Sequence, residues 1–225
     1  YNQIFSRDIG FVIEDKFISA NILPERDQEI TAIHHVLNQI PKENRISLPE
    51  DCHVEGGDVM PWNNYIFIGT YSGKEYSEYI TARTNSNAVK AIQALFPNKI
   101  VKSFELRKSN DNAKENALHL DCCFQPIGKN MAILHKNGFL IEEEFEWLKN
   151  YFGTENIFEI SKDEMYQMNS NVFSISEDIV ISEQNFTRLN SWLEKKGFTV
   201  EKVPYSEIAK QEGLLRCSTL PLVRD

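Results

Sequence analysis

Long hydrophobic runs are absent from this sequence. No apolar segment approaches the roughly 18 to 20 residues that a membrane-spanning helix needs, and the opening residues, YNQIFSRD, have neither the basic nor the apolar region of a secretory signal. Cysteines are also few, since the 225 residues contain only 4 of them. That number is too small for a disulfide framework, so we expect a reducing, cytoplasmic environment.

Basic residues are also fewer than acidic ones. The chain has 33 acidic residues against 24 lysines and arginines, which gives a formal net charge of −9. This balance disfavours nucleic acid or an anionic membrane as a partner and is compatible with a small cationic substrate. Hydrophobic residues make up 41% and charged residues 25% of the chain, which is typical of an ordinary globular protein.

No linker rich in proline, glycine or serine divides the chain, so we predict a single catalytic domain over residues 1–225. A repeat organises it instead: strand, tight turn, strand, amphipathic helix, strand. Four such ββαβ units occupy residues 5–50, 54–106, 117–161 and 170–206, and residues 214–225, LLRCSTLPLVRD, would open a partial fifth. The rest of that fifth unit is expected before Tyr1, because the chain does not begin with methionine. An open α+β protein of four units with a C-terminal edge strand is the alternative.

Local signals give the expected elements of each unit. Turn-forming pairs join the paired strands at 14–15, 63–64, 129–130 and 177–178. Helices are predicted at 27–40 and in each later unit, with apolar residues spaced to face a sheet. Gly197 is placed where a helix ends in a left-handed residue.

Polar motifs recur at or beside the start of the first strand in successive units. They are Arg7-Asp8, EGGD at 55–58, HLD at 119–121, and Arg216-Cys217. If the units surround a pseudo-symmetry axis, a thiol, a histidine and several carboxylates would converge there, as covalent catalysis by a thiolate requires. Carboxylates in such a pocket suit a guanidinium, which is planar, permanently charged and carries several N–H donors.

These motifs also resemble a known group of enzymes. FSRD, EGGD, HLD and RCSTLPLVR, in this order between Phe5 and Arg224, are similar to the guanidine-modifying enzymes of the pentein fold. That group includes arginine deiminases, dimethylarginine dimethylaminohydrolases and related amidinotransferases. The resemblance implies an α/β fold, a five-bladed propeller of ββαβ units around a pseudo-fivefold axis, and a hydrolase acting on C–N bonds of linear amidines.

The resemblance also implies roles for single residues. Cys217 would be the nucleophile, His119 the general acid and base, and Glu55 the residue that orients His119. Asp8 and Asp121 would hold the guanidinium.

Three further residues are expected to support the site. Asp58 would support the site, while Arg26 and Arg83 would bind a substrate carboxylate.

Two stretches depart from the family pattern. Thr70–Thr81 separates Gly69 from Ala82-Arg83 and predicts either a lid or specificity loop, or a solvated hairpin extension without function. The approach to the cysteine, QEGLLRC, contains only one glycine, Gly213. This departure leaves the leaving group and the exact substrate open.

A zinc site is the alternative to a guanidinium-binding site for these residues. Cys52-His53 and His119-Leu120-Asp121-Cys122 offer nitrogen and sulfur ligands. A strand at 118–125 would send adjacent side chains to opposite faces, with His119, Asp121 and Cys123 on one side and Cys122 in the core. The same alternation disfavours a disulfide between Cys122 and Cys123. We therefore predict neither a metal nor another cofactor.

Three functions stay open at this point. The first is hydrolysis of arginine or an arginine derivative through a covalent thiouronium intermediate, and the second is amidino transfer through the same intermediate. The third is a non-catalytic pentein binding module. The expected partner is a small guanidino compound, and the oligomeric state is left open.

Overall fold

The computed structural model describes residues 3–223. The chain divides into two compact units, the first formed by Tyr1–Phe104 with Cys217–Asp225 and the second by Glu105–Arg216. The single catalytic domain over residues 1–225 stays a prediction. Among the described residues, no helix combines the length and the apolar character needed to cross a membrane.

The first unit contains two three-stranded sheets. Each begins with a hairpin, in which β1 pairs with β2 and β4 with β5 in antiparallel register. The third strand of the first sheet, β3, then runs parallel to β2. The elements are β1 (Gly10–Ile13), β2 (Lys16–Ser19), α1 (Gln28–Ala32), α2 (His34–Leu37), β3 (Arg45–Ser47), β4 (Val59–Trp62), β5 (Tyr65–Thr70), α3 (Ser86–Leu95) and β6 (Ile100–Glu105).

The second unit repeats the arrangement with two more three-stranded sheets. Hairpins pair β7 with β8 and β10 with β11, and β9 and β12 run parallel to the central strands. The elements are β7 (Phe124–Ile127), β8 (Met131–Leu134), α4 (Glu142–Phe152), β9 (Ile157–Glu159), α5 (Lys162–Tyr166), β10 (Phe173–Ser174), β11 (Ile179–Glu183), α6 (Thr187–Lys195), β12 (Thr199–Val203) and α7 (Ser206–Ala209). The predicted order of strand, strand, helix and strand therefore recurs in all four sheets.

Residues in the left-handed backbone region lie in or beside three of the predicted turns. Glu14 and Asn63 have φ values of 55° and 52°, and Gly128 has a φ of 59°. Gly197, just beyond α6, has a φ of 95°, the conformation in which glycine avoids the steric cost of a Cβ. These turns hold successive strands in the register that keeps one face of each hairpin buried.

Each unit has its own hydrophobic packing. In the first, Phe11, Ile13 and Ile18 from β1 and β2 belong to one cluster with Ile66 and Ile92 from β5 and α3. In the second, the rings of Phe124 and Phe152 lie 5.9 Å apart, so that α4 covers its sheet. Each such fully buried side chain contributes about 1.5 to 3 kcal/mol relative to exposure.

The helix predicted at 27–40 is interrupted. It forms as two short helices, α1 and α2, separated at Ile33, whose φ and ψ are −100° and 7°. Isoleucine, threonine and histidine around the break have low helix propensity. The spacing of the apolar residues in 27–40 predicted the buried face correctly but did not predict the break.

Two predicted strands are wrong. The strand expected at 118–125 begins only at Phe124, because Leu120–Cys122 form a 3₁₀ turn. Residues 214–223 form a turn and no strand, and the last two residues of the predicted segment lie outside the described residues. The N–H groups of Leu214 and Arg216 donate to the side chain and carbonyl of Asn171. They are therefore not available for pairing with a neighbouring strand.

Candidate active site

Three of the predicted motifs are joined through the backbone of the first unit. The Arg7 N–H donates to the Cys217 carbonyl at 3.0 Å, and the Gly56 N–H donates to the Asp8 carbonyl at 3.2 Å. A Cβ on Gly56 would lie 2.1 Å from the Arg7 carbonyl oxygen, so this approach requires glycine. FSRD, EGGD and RCST are consequently held side by side, although they are far apart in sequence.

Cys217 lies where the chain returns from the second unit to the first. The residue is buried, with 4% of its surface exposed. The segment that follows is secured by Arg7, whose Nη2 donates to Thr219 Oγ1 at 3.2 Å. The predicted nucleophile therefore occupies a well-defined place in the first unit.

Arg26 joins the carboxylates of the first unit. Its Nη1 donates to Asp8 Oδ2 at 2.9 Å, and its Nε and Nη2 donate to the two carboxylate oxygens of Glu29 at 3.1 and 2.8 Å. The same Nη1 lies 3.8 Å from Glu55 Oε2. This is the paired, fork-like geometry in which a guanidinium binds carboxylates most strongly.

The acids around Arg26 further favour its charged form. Burial opposes the charged form, but the hydrogen bonds to Glu29 and the attraction of Asp8 and Glu55 outweigh burial and raise the pKa of Arg26 above its ordinary value. The structure therefore shows Arg26 bound to carboxylates of its own unit. Its predicted role, binding a substrate carboxylate, stays a prediction.

Arg83 and Thr84, in the segment that leads into α3, connect this segment to the EGGD motif. Arg83 Nη1 lies 3.2 Å from Glu55 Oε1, and Thr84 Oγ1 donates to Asp58 Oδ2 at 2.6 Å. The Glu55 N–H in turn donates to Thr84 Oγ1 at 3.3 Å. Asp58 is thus fully buried and hydrogen-bonded, which fits the supporting position predicted for it.

His119 and Asp121 lie in the second unit, in a segment that differs from the prediction. His119 precedes the 3₁₀ turn, in which the Cys122 N–H donates to the His119 carbonyl at 3.1 Å and the Cys123 N–H donates to the Leu120 carbonyl at 3.0 Å. Strand alternation therefore does not apply to these side chains. Cys122 and Cys123 are both buried, and neither forms a disulfide within the described residues.

Asp121 is held by residues from distant parts of the second unit. Its Oδ2 accepts a hydrogen bond from Arg216 Nη1 at 2.6 Å, and its backbone carbonyl accepts one from Ser170 Oγ at 2.8 Å. Asn171 holds Arg216 in place through the 3.2 Å bond from the Arg216 N–H to its carbonyl. The carboxylate is fully buried, so this ion pair orients it strongly.

The predicted site residues therefore fall into two sets. Asp8, Arg26, Glu55 and Arg83 are linked in one network of the first unit. Asp58 and Cys217 belong to the same unit, whereas His119 and Asp121 belong to the second.

Sequence reasoning did not foresee Glu29, Thr84 or the role of Arg216. Glu29 follows Arg26 at the i, i+3 spacing that favours ion pairs in helical turns, a signal that could have been used. Arg216 stood next to Cys217 in a motif, but its pairing with Asp121 across 95 residues has no local signal.

The Thr70–Thr81 segment forms an irregular loop, and residues 71–81 contain no strand. Tyr71 and Tyr79 stack with ring centroids 5.6 Å apart, and the Tyr76 hydroxyl donates to the Glu25 carboxylate. That hydrogen bond lowers the pKa of Glu25. The hairpin expectation is wrong, and a lid function stays a prediction.

The family of the chain follows from comparison with known proteins. The family model described as "N,N dimethylarginine dimethylhydrolase, eukaryotic" matches residues 1–224. The chain belongs to this family. Its members are hydrolases that act on C–N bonds of amidines, and the family lies within the pentein guanidine-modifying superfamily.

Relatives of this dimethylarginine dimethylhydrolase family member include YkgA of Bacillus subtilis (strain 168), an uncharacterized protein. It is 29% identical over 223 residues, covering 99% of this chain and 70% of YkgA. An arginine deiminase of Listeria monocytogenes is 24% identical over 265 residues, covering all of this chain and 62% of the deiminase. The chain thus spans less than two thirds of the length of that deiminase.

Solved structures share the fold. The N-terminal domain of ArgZ, covalently bound to a reaction intermediate, matches with a TM-score of 0.80 and 19% identity, over 98% of this chain and 75% of that one. The dimethylarginine dimethylaminohydrolase of Pseudomonas aeruginosa, in complex with citrulline, matches with a TM-score of 0.76 and 19% identity, over 97% and 75% of the two chains. The α/β fold of ββαβ units is therefore that of the penteins, as predicted.

Proposed function

We propose that the protein hydrolyses a small guanidino compound, arginine or an arginine derivative, with Cys217 as nucleophile. The observation that carries the proposal is the family match over residues 1–224. The sequence also retains the cysteine, histidine and carboxylates that this chemistry uses. No observation favours amidino transfer or a purely structural role in the same way.

The proposed reaction proceeds in two steps. The Cys217 thiolate forms a C–S bond to the central guanidinium carbon, and the C–N bond to the leaving amine breaks as His119 protonates that nitrogen. His119 then takes a proton from water, whose oxygen attacks the same carbon. The C–S bond then breaks and the remaining O–H proton passes to solvent, which releases the neutral ureido product and restores the thiolate.

Asp8 and Asp121 are assigned to hold the substrate guanidinium. Each accepts a hydrogen bond from an arginine through Oδ2, Asp8 from Arg26 and Asp121 from Arg216. A carboxylate can accept on both of its oxygens, so each aspartate can bind a substrate N–H while its arginine keeps it oriented. Arg26 and Arg216 are thus proposed as positioning residues, in addition to the substrate-carboxylate role predicted for Arg26.

Glu55 is assigned to orient His119, and Asp58 to support Glu55. Thr84 bonds both the Glu55 N–H and the Asp58 carboxylate, which supports this pair as a rigid element.

The proposal gives roles to residues of both units. Its consequence is that Asp8→Asn in the first unit and Asp121→Asn in the second should each impair the same turnover.

The experiment that tests the function uses the full chain with arginine, methylated arginines and agmatine. We expect one of them to yield ureido product and released amine in equal amounts. In ¹⁸O-labelled water the ureido oxygen should carry the label, because water resolves the intermediate. If the amidino group passes to an added amine without label uptake, the protein is a transferase. If none of the compounds reacts, the proposal fails.

Arg83 is assigned to bind a substrate carboxylate. Its Nη1 contacts Glu55, while its buried Nε–H has no hydrogen-bond partner within residues 3–223. That donor is suited to a carboxylate oxygen, because an ionised acceptor compensates a buried N–H.

We therefore expect Arg83→Gln to raise the KM for a carboxylate-bearing substrate by about tenfold to a hundredfold. Agmatine is the matched substrate without the carboxylate, and its KM should change much less. Steady-state kinetics with both compounds decide the point. Equal effects on the two substrates would show that Arg83 only holds Glu55 and does not bind the substrate carboxylate.

A further inference from the structure

A cavity of about 430 Å³ lies in the second unit. Its lining includes Leu118 and Cys122, Met165 of α5, and Met168 just beyond that helix. Ala209 of α7 also lines it. This volume is within the range of cavities that bind small organic molecules.

A buried carboxylate, that of Glu183, is among the polar groups that line this cavity. Glu183 lines the cavity and is fully buried. Its two oxygens accept hydrogen bonds from Asn185, one from the backbone N–H at 2.6 Å and one from Nδ2 at 3.2 Å. These bonds fix the direction of the carboxylate.

No lysine, arginine or histidine within residues 3–223 forms an ion pair with Glu183. Lys210, which also lines the cavity, pairs with the exposed Glu207 at 2.6 Å. A buried carboxylate without a cation is costly, and its oxygens can accept more hydrogen bonds than the two from Asn185. A cationic donor entering the cavity would satisfy both requirements.

Part of the lining suits an apolar body attached to that cation. Met165, Met168 and Phe186 are buried residues that line the cavity. Thioethers adapt to ligands of different shape, and an aromatic ring attracts a nearby cation through its face.

We propose that this cavity is a binding site for a small organic ammonium compound. The ammonium group donates to Glu183, and the apolar part packs against Met165, Met168 and Phe186. The proposal is independent of the guanidine chemistry, because neither His119 nor Asp121 lines this cavity.

The methionines provide a direct readout. The chain has four of them, and only Met165 and Met168 line the cavity. In protein with ¹³C-labelled methionine methyl groups, we expect 2-phenylethylamine to shift these two resonances saturably. The resonance of Met60, which lies in the first unit, should stay in place.

Two matched probes test the charge. 2-Phenylethanol has the same body without the cation, and 3-phenylpropanoate carries the opposite charge. We expect the alcohol to bind about tenfold to a hundredfold more weakly than the amine, and the carboxylate not to shift Met165 or Met168. Equal binding of amine and alcohol, or preferred binding of the carboxylate, would overturn the proposal.

Variants test whether the Glu183 carboxylate binds the ammonium group. Glu183→Gln should reduce the affinity for the amine to that for the alcohol. Glu212→Gln, which removes the same charge from an exposed residue lining the same cavity, should leave it within about threefold. Unchanged affinity for the amine in Glu183→Gln, or an equal loss of affinity in Glu212→Gln, would refute Glu183 as the group that binds the ammonium.

Ala209→Phe gives a test that leaves the buried carboxylate intact. Ala209 is half-buried on the short helix α7, so a larger side chain there fills the cavity from outside. We expect the amine-induced shifts to disappear while the remaining methionine spectrum stays that of a folded protein. Persistence of the shifts would place the amine elsewhere and overturn the proposal.

Discussion

Cys217→Ser is expected to reduce turnover of the guanidino substrate by at least about a thousandfold. Serine is nearly isosteric, but an alcohol is much less acidic than a thiol and supplies no comparable anionic nucleophile. The measurement is the rate of ureido product formation under saturating substrate. Acid-quenched wild-type protein should also carry the mass of a covalent amidino adduct, which the variant should lack.

Two cysteines of similar burial serve as controls. Cys52 lies in the first unit and Cys122 in the second, and both are buried thiols that form no disulfide within residues 3–223. Cys52→Ser and Cys122→Ser should each keep turnover within about tenfold of wild type, since neither is assigned a step in the reaction. Turnover that survives in Cys217→Ser but is lost in Cys122→Ser would move the nucleophile to the second unit.

Arg26→Met is expected to lower the free energy of unfolding by about 3 to 5 kcal/mol. The substitution keeps much of the side-chain volume but removes the ion pairs of Arg26 with the buried carboxylates of Asp8 and Glu29. Denaturant unfolding of both proteins measures the difference. A loss below about 1 kcal/mol would show that the acids relax or take up protons at little cost.

Arg45→Met is the matched control. Arg45 is half-buried and donates to the exposed Asn38 amide at 3.2 Å, so the same substitution should cost less than about 1 kcal/mol. Adding Glu29→Met to Arg26→Met should recover part of the loss, because it removes one of the buried carboxylates that had been bound to Arg26.

The pH dependence of the Arg26 contribution follows from its raised pKa. A group whose pKa is higher in the folded state stabilises fully below its unfolded-state pKa, and this stabilisation is lost only as the pH rises through the folded value. For an arginine both values lie far above neutrality. Titration of Arg26 itself should therefore not change the stability of the wild-type protein between about pH 5 and 9.

The repeated units could be predicted because their signals are local. Turn residues such as Asn63 and the helix-ending Gly197 adopt positive φ, and this preference is a property of the residue itself. Apolar spacing likewise reports which face of a strand or helix is buried. The order of strand, strand, helix and strand needed no knowledge of distant contacts.

The segment around His119 shows where such reasoning fails. LHLDCCFQ has the composition and alternation of a strand, yet Leu120–Cys122 form a 3₁₀ turn. The turn is stabilised from outside, because Ser170 Oγ donates to the Asp121 carbonyl. A local pattern cannot anticipate a hydrogen bond from a residue 49 positions away.

The sequence by itself determined the fold class, the four repeated units and the residue types of the candidate site, because periodicity, turn preference and motif order are properties of short segments. Only the tertiary structure decided how the carboxylates are paired. Arg26 binds Asp8 across 18 residues, and Arg216 binds Asp121 across 95. Such ion pairs form where packing brings buried charges together and desolvation forces each to find a partner, and that requirement appears only once the chain has folded.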